Sequence, residues 1–417
     1  MAAAFHRGLE TGLTMWDAAV VGAGPAGSIA ARQLARDGAS VLLVDRQRFP
    51  RWKVCGACLG PGASRLLDVA KLGALPCREG AVRLDRLSLA AEGWTASVAL
   101  RGTVALSRAA LDHALVDEAV TEGVEFRDGV RVDLGPATPG GVQLEVRTAG
   151  VSSREEARVV IDATGLSGGL EPPPIGSANR QEDREGSRAG NEPSRWTIAP
   201  GSRVGIGATL DASEHDLPFG ELRMVVGRRG YVGLVRVEGG LLNVAAAIDR
   251  DVLGDASPEE AVRGILAEAG SPGLSGVPVH PWKGTPPLTR HPRAVAHRRL
   301  FRLGDAAGYV EPFTGEGMSW AIASGMSVVP FARQAIREWT DDLVALWAAE
   351  HRRRIGRSQR LCRSLARGLR RPRLVRTAVR ILARAPILAD PFVRSLARAP
   401  AVAAPGPASG IRLRARA

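Results

Sequence analysis

Three glycines stand in the spacing Gly22-x-Gly24-x-x-Gly27, between a short apolar run at Asp17–Val21 and a helical pattern over Ser28–Asp37. The first glycine of such a turn permits the bend, and the second lets backbone approach a pyrophosphate. The third lets helix and strand pack closely. The helix that begins there directs N–H groups and the positive end of its dipole at phosphate charge. After Gly38 a second strand, Ser40–Val44, ends at Asp45, whose carboxylate is placed to accept hydrogen bonds from a ribose diol. Strand, helix, strand and terminal acid make a βαβ unit of about thirty residues, which predicts a site for NAD or FAD.

A second constellation lies near the other end. Leu303-Gly304-Asp305-Ala306-Ala307-Gly308 is followed by Glu311-Pro312-Phe313-Thr314-Gly315-Glu316-Gly317-Met318, which opens a predicted helix over 317–337. A strand-end carboxylate accepts from hydroxyls, while glycines at a helix start present N–H groups to electron-rich oxygen. These residues resemble the second FAD motif of the flavoprotein group that includes p-hydroxybenzoate hydroxylase and the geranylgeranyl reductases. The resemblance implies FAD, with Asp305 on the ribityl chain and the Gly315-x-Gly317 turn at the pyrimidine end of the flavin. Val159-Val160-Ile161-Asp162-Ala163-Thr164-Gly165 looks like the group's middle motif, with Ala-Thr-Gly where hydroxylases usually carry Asp-Gly. Arg108 stands at a helix start where the group places an arginine near the phosphates. Lys53-Val54-Cys55-Gly56 resembles the Lys/Arg-x-Cys-Gly segment that lies beside the isoalloxazine ring in geranylgeranyl reductases. The residues expected to hold FAD are therefore Gly22, Gly24, Gly27, Ser28, Asp45, Arg46, Lys53, Cys55, Gly56, Arg108, Asp162, Gly165, Gly304, Asp305, Gly315, Gly317 and Met318. No second Gly-x-Gly-x-x-Gly unit is present, so no separate NAD(P)H domain is implied, and both NAD(P)H as a transient electron donor and an external reductant stay open.

Catalytic candidates are fewer. Cys55 and Cys58 form a CxxC, but no second CxxC accompanies it and no βαβ unit sets it at a helix N-terminus. A thiol lining the flavin pocket fits better than zinc or a redox pair, and no metal site is expected. Gly230-Tyr231-Val232-Gly233 occupies the place of the reductases' Tyr-x-Trp-x-Phe-Pro motif, with Gly233 for the tryptophan and no Phe-Pro after it. Tyr231 is thus open between a catalytic pocket residue and a sheet residue with a satisfied hydroxyl. His280, Trp282 and Lys283 read as structural.

The elements that must position these residues follow from pattern. Ser107 caps a predicted helix through Glu122, and short strands follow near 124–126, 130–132, 142–146 and 159–162. Segments with a period of two at 203–210, 221–226, 231–237 and 241–248 predict a mostly antiparallel sheet. The expected architecture is α/β: a Rossmann-like FAD-binding domain of the p-hydroxybenzoate-hydroxylase-like kind, with an inserted antiparallel-sheet substrate domain and a C-terminal helical segment. The expected boundaries are 15–75, 105–170 and 297–340 for the FAD domain, and 76–104 with 196–296 for the substrate domain. Residues 171–195, crowded with Pro, Gly and charge, read as a flexible excursion, 341–400 as an Arg-rich helical segment, and 401–417 as a disordered tail.

Composition bounds the partners. The 417 residues are 45% hydrophobic and 24% charged, ordinary for a globular chain, and no stretch of eighteen apolar residues offers a membrane span. The first fourteen residues lack an apolar core and do not read as a secretory signal, and four cysteines suit a reducing, cytoplasmic setting. The net charge of +13 is unevenly spread. From His351 onward there are 18 arginines and one acid, Asp390, a net +17 that leaves −4 for the first 350 residues. Nucleic acid is therefore not the expected partner. Leu361, Leu365, Leu369, Val375, Val379 and Leu382 recur among those arginines at helical spacing, broken at Pro372 and Pro386. Such a stripe fits either a helical pair packed on the body or a peripheral contact with anionic lipid.

Taken with the resemblance, these features point to an FAD-dependent oxidoreductase. The first reading is reduction (or desaturation) of a C=C bond in a hydrophobic prenyl or polyketide-type substrate. The Cys-Gly segment and the Glu-Gly-Met turn favour it. The alternatives are an FAD-dependent monooxygenase acting on an aromatic or polyketide substrate, and an FAD-containing membrane-surface interaction protein.

Overall fold

The computed structural model describes residues 14–148, 150–172, 196–254, 256–313 and 315–391. The expected excursion lies almost wholly outside these, as does the tail.

A mixed sheet has a parallel core around the strand Thr14–Val21, flanked by Val41–Asp45 on one side and Val151–Asp162 on the other, with antiparallel strands at Arg131–Ala137, Val142–Thr148 and Ala296–His297. Glu125–Asp128 and Leu300–Arg302 extend the parallel core on either side. Every residue of Val41–Asp45 is buried, as a central parallel strand with helices over its faces requires. The first strand starts earlier than its apolar run suggests: Thr14 and Met15 pair with Glu155 and Glu156. Backbone pairing outruns hydrophobicity at a sheet end.

Two helices bring the distant motifs together. Pro25–Arg36 follows the glycine turn, and Gly317–Arg337 packs across it. A Cβ on Gly325 would stand 2.4 Å from the Ala26 carbonyl oxygen, so this crossing is as close as backbones allow. The helix Arg108–Thr121 is capped by Ser107, whose hydroxyl accepts the Ala110 N–H.

The second sheet runs in the order Val277–Pro287, Val204–Asp211, Leu242–Ile248, Gly230–Arg236, Glu221–Gly227, Val82–Ala91, Trp94–Ala105 and Cys58–Leu59. All its pairings are antiparallel except that of Glu221–Gly227 with Val82–Ala91. Its period of two sorts side chains cleanly. Val225, Val232, Ala246 and Ile248 face the helix Pro258–Glu268. Their neighbours Met224, Val226, Tyr231 and Ala247 instead face Leu369, Val375 and Val379 of the C-terminal segment.

That segment comprises Asp342–Arg354, Gly356–Gly368 and Pro372–Arg384, then a single turn at Pro386–Ala389. Pro372 begins a helix rather than merely ending one, because its ring presets φ and its missing N–H would be unpaired there anyway. Among the described residues no helix is long and apolar enough to cross a membrane.

Candidate flavin site

The glycine turn is closed at two positions and open at the third. Gly22 has φ +109°, and a Cβ there would lie 2.2 Å from the Ala163 oxygen. A Cβ on Gly27 would lie 1.9 Å from the Gly22 oxygen. Gly24 differs: it has ordinary extended backbone, and the nearest atoms to its Cβ position are guanidinium tips, Arg108 at 3.4 Å and Arg51 at 3.7 Å. The free space above the helix N-terminus is therefore bordered by cations. That is the environment a diphosphate requires.

Those cations are held by a buried acid. Asp112 is fully buried, takes two bonds of 2.8 Å from Arg108 and one of 2.8 Å from Arg51. Burial alone would push its carboxyl up, but Arg108 and then Arg51 outweigh that and hold it below the carboxylate range. Asp45, at the end of its strand as expected, accepts the Ala23 N–H at 3.0 Å and the Gln47 N–H at 2.9 Å, and pairs with Arg51 at 3.3 Å. It braces the turn it stands beside. Arg46 is exposed and forms no ion pair with a described residue.

Lys53 lies deeper in the groove. Its Nζ stands 2.9 Å from the Cβ position of Gly165, whose φ of +75° also favours glycine. Burial and then Arg108 lower its ammonium below the usual lysine range, against the pull of Asp305. Asp305 sits in the single turn Gly304–Ala307, half-buried; its backbone carbonyl accepts the Gly308 N–H, while its carboxylate accepts no hydrogen bond from a described residue. Its charge acts on Lys53, Arg108, Arg290 and Tyr309, so the two sequence motifs stand close to one another. Gly304 (φ +52°) donates to Ser324 Oγ at 3.1 Å. Gly315 (φ +76°) and Gly317 lead into the long helix, where the Cβ position of Gly317 is 3.4 Å from the Tyr309 ring and hydroxyl.

Several expected contacts have other work. Asp162 is fully buried, with one oxygen bound to the Thr164 N–H and O–H and the other to the Leu170 N–H and Arg302. With both oxygens engaged, its carboxylate shapes the loop and does not face the groove. Met318 packs in the core beside Ile29, Leu59 and Ile322, and Ser28 is fully buried with its hydroxyl unpaired. Gly56 is exposed, with open space where a Cβ would stand.

The Arg51–Gly56 loop bridges groove and inserted sheet. Trp52 donates to Thr209 at 2.8 Å, Val54 occupies the space over Gly207, and the Cys55 carbonyl accepts from Asn243 at 2.9 Å. Cys55 is a half-buried free thiol. Burial, then the neighbouring Cys55, push the Cys58 thiol up to about 12, which leaves it protonated and inert. Tyr231 is buried at the seam, edge-on to Phe313 at 5.0 Å, and burial, then the nearby Glu311, raise its hydroxyl well above the usual tyrosine range. Arg203, fully buried, pairs with Glu311 at 3.2 Å.

Arg51, Asp112, Asn243 and Tyr309 were not among the expected site residues. Only the Arg108-x-x-x-Asp112 spacing on one helix carried a signal, that of an i, i+4 ion pair.

Comparison with known proteins agrees with this geometry. Residues 15–169 match the FAD binding domain family. The menaquinone reductase of Mycolicibacterium smegmatis is 26% identical over 327 residues, 75% of each chain. Digeranylgeranylglycerophospholipid reductase 1 of Methanococcoides burtonii is 26% identical over 330 residues, 78% of this chain and 76% of its own. Among solved structures, the flavin-dependent brominase Bmp2 superposes with a TM-score of 0.71 at 17% identity, covering 92% of this chain and 94% of its own, a likeness of fold. Both motifs brought close together, a family match on the first part of the chain and reductase relatives along most of its length make this chain an FAD-dependent oxidoreductase that resembles the geranylgeranyl reductases.

Proposed function

We propose that the protein reduces a C=C bond of a hydrophobic prenyl or polyketide-type small molecule, or desaturates it in reverse, with NAD(P)H as transient electron donor. The observation that carries this reading is the apolar seam next to the flavin groove. Tyr231, Phe313 and Tyr309 pack there with Leu369 and Val375, and the Cys55 carbonyl is tied to Asn243 of the same sheet. Such a wall binds hydrocarbon and excludes water, which suits a greasy substrate better than a charged one. The reductase names of the two relatives support the same chemistry.

FAD, when bound, supplies hydride transfer. The chain's own residues supply binding and orientation. Arg51, Lys53, Arg108 and the N-terminus of Pro25–Arg36 would take the diphosphate, and Asp305 the ribityl hydroxyls. The N–H groups of the Gly315–Gly317 turn would meet the oxygen-rich end of the ring, while Cys55 stands at the substrate side. Peripheral contact with a membrane through the Arg-rich segment belongs to this reading, since prenyl chains reside in bilayers.

The test is anaerobic. The bound flavin is reduced with NADPH or dithionite, then mixed with prenylated quinones or enones, and its reoxidation is followed by absorbance. Reoxidation quickened by these compounds without oxygen is the expected result. Reoxidation by oxygen alone, with an oxygen atom appearing in an aromatic substrate, would replace this reading with monooxygenation.

A further inference from the structure

The helix Pro372–Arg384 has three faces, and its own protein uses only one of the apolar ones. At about 100° per residue, Val375, Val379 and Leu382 share a stripe, and that stripe packs on the inserted sheet. Arg373, Arg376, Arg380 and Arg384 share a second. Leu374, Ala378 and Ile381 share the third, where Leu374 is 54% and Ile381 48% exposed. The turn after the helix prolongs this ridge with Ile387 at 73% and Leu388 at 59%. A helix that served only to cover the sheet would need the first stripe and no more.

The charge around the ridge has one sign. Gly356–Pro391 contains ten arginines and a single acid, Asp390. Arg370 and Arg376 pair with Asp249 and Glu92 of the body, and Arg380 and Arg384 lie over Trp94. Arg357, Arg360, Arg367, Arg371 and Arg373 form no ion pair with a described residue. A second copy of the chain would bring the same cationic surface against this one, and like charges would oppose it. An anionic bilayer answers both features, with hydrocarbon for the ridge and phosphate for the arginines.

We infer that this face seats the protein on an anionic phospholipid bilayer. Leu374, Ile381, Ile387 and Leu388 enter the boundary between headgroups and acyl chains, and the unpaired arginines lie at phosphate level. The neighbouring stripe of the same helix walls the apolar seam, so the docked face is one helix away from the proposed substrate site. The inference rests on the hydrophobic-substrate reading for its use to the enzyme, though its evidence is separate.

The experiment is co-sedimentation of the full-length, FAD-loaded protein with vesicles of phosphatidylcholine, with and without phosphatidylserine, at low and high salt. Binding is expected only with phosphatidylserine and should weaken as salt rises. Leu374→Ser with Ile381→Ser, and separately Ile387→Ser with Leu388→Ser, should each weaken partitioning about tenfold or more. All the variants should keep wild-type melting. Failure of the native protein to bind, or ridge variants that bind as well as it does, would overturn the inference. So would a dimer, seen by light scattering, that the ridge variants disperse, or binding carried by contaminating nucleic acid and abolished by nuclease. Reoxidation of the flavin by a short, soluble enone is measured in parallel. Turnover without vesicle binding sinks the docking face alone, and vesicle binding without turnover by any unsaturated compound sinks the functional reading alone.

Discussion

Substitution of alanine at each motif glycine separates folding from cofactor binding. In Gly27→Ala the new methyl would stand 1.9 Å from the Gly22 carbonyl oxygen, and in Gly22→Ala 2.2 Å from that of Ala163. Backbone must move in both, so both should fail to fold or lose several kcal/mol of stability. Gly24→Ala meets nothing closer than the Arg108 guanidinium at 3.4 Å, and φ of −85° suits alanine. Its fold should lose only about 1 kcal/mol, the cost of alanine at an N-cap. The methyl nevertheless occupies the space through which a diphosphate oxygen would approach the backbone. Loss of one charge-assisted hydrogen bond costs about 1.5–3 kcal/mol, or about 10- to 150-fold in Kd. The assay is urea unfolding of the apoprotein, paired with FAD titration followed by flavin fluorescence. A Gly24→Ala protein that binds FAD with unchanged affinity would refute the placement of the diphosphate at this turn.

Two further outcomes follow from buried charge. Asp112→Asn leaves the guanidiniums of Arg108 and Arg51 without their shared acid, and should cost about 3 kcal/mol in urea unfolding along with much of the flavin content. An unchanged midpoint and a full complement of flavin would show that the acid is dispensable. His351 is buried, and burial followed by His291 lowers its pKa to about 4 from an ordinary 6.5. Its folded pKa lies below its unfolded one, so the stability it contributes is present above pH 6.5 and is lost as pH falls toward about 4. The full loss is about 3 kcal/mol. In His351→Gln the stability slope over that window should shrink by about one proton, which urea melts across pH would measure. His291 and His297, also lowered, would keep some of the slope.

Contiguous motifs carried most of what was legible in the residues. The strand–glycine–helix–strand unit at Asp17–Asp45 could be read from spacing because each glycine has a local, nearly forced geometry, as at Gly22 and Gly27. The period of two in the second sheet likewise told which residues share a face, and Met224, Val226, Tyr231 and Ala247 do. Asp162 misled because a strand-end acid looks the same whether it faces a ligand or closes its own loop. Only the positions of Leu170 and Arg302 decide between these. At Met318 the side chain belongs to the core, and a residue beside such a turn has only its backbone left to offer a site.

By itself the sequence determined the cofactor class, the order of the elements and the basic character of the C-terminal segment, all of which are encoded in short windows. The tertiary structure alone decided which charges meet. Arg51, Asp112 and Asp305 are far apart in the chain, yet they act on one groove because Gly325 and Gly304 let two helices and a turn approach at backbone distance. It alone also decided that one apolar stripe of the last long helix is spent on the sheet while another remains uncovered. Hydrophobic periodicity marks a helix as two-faced, but burial is a property of what packs against it.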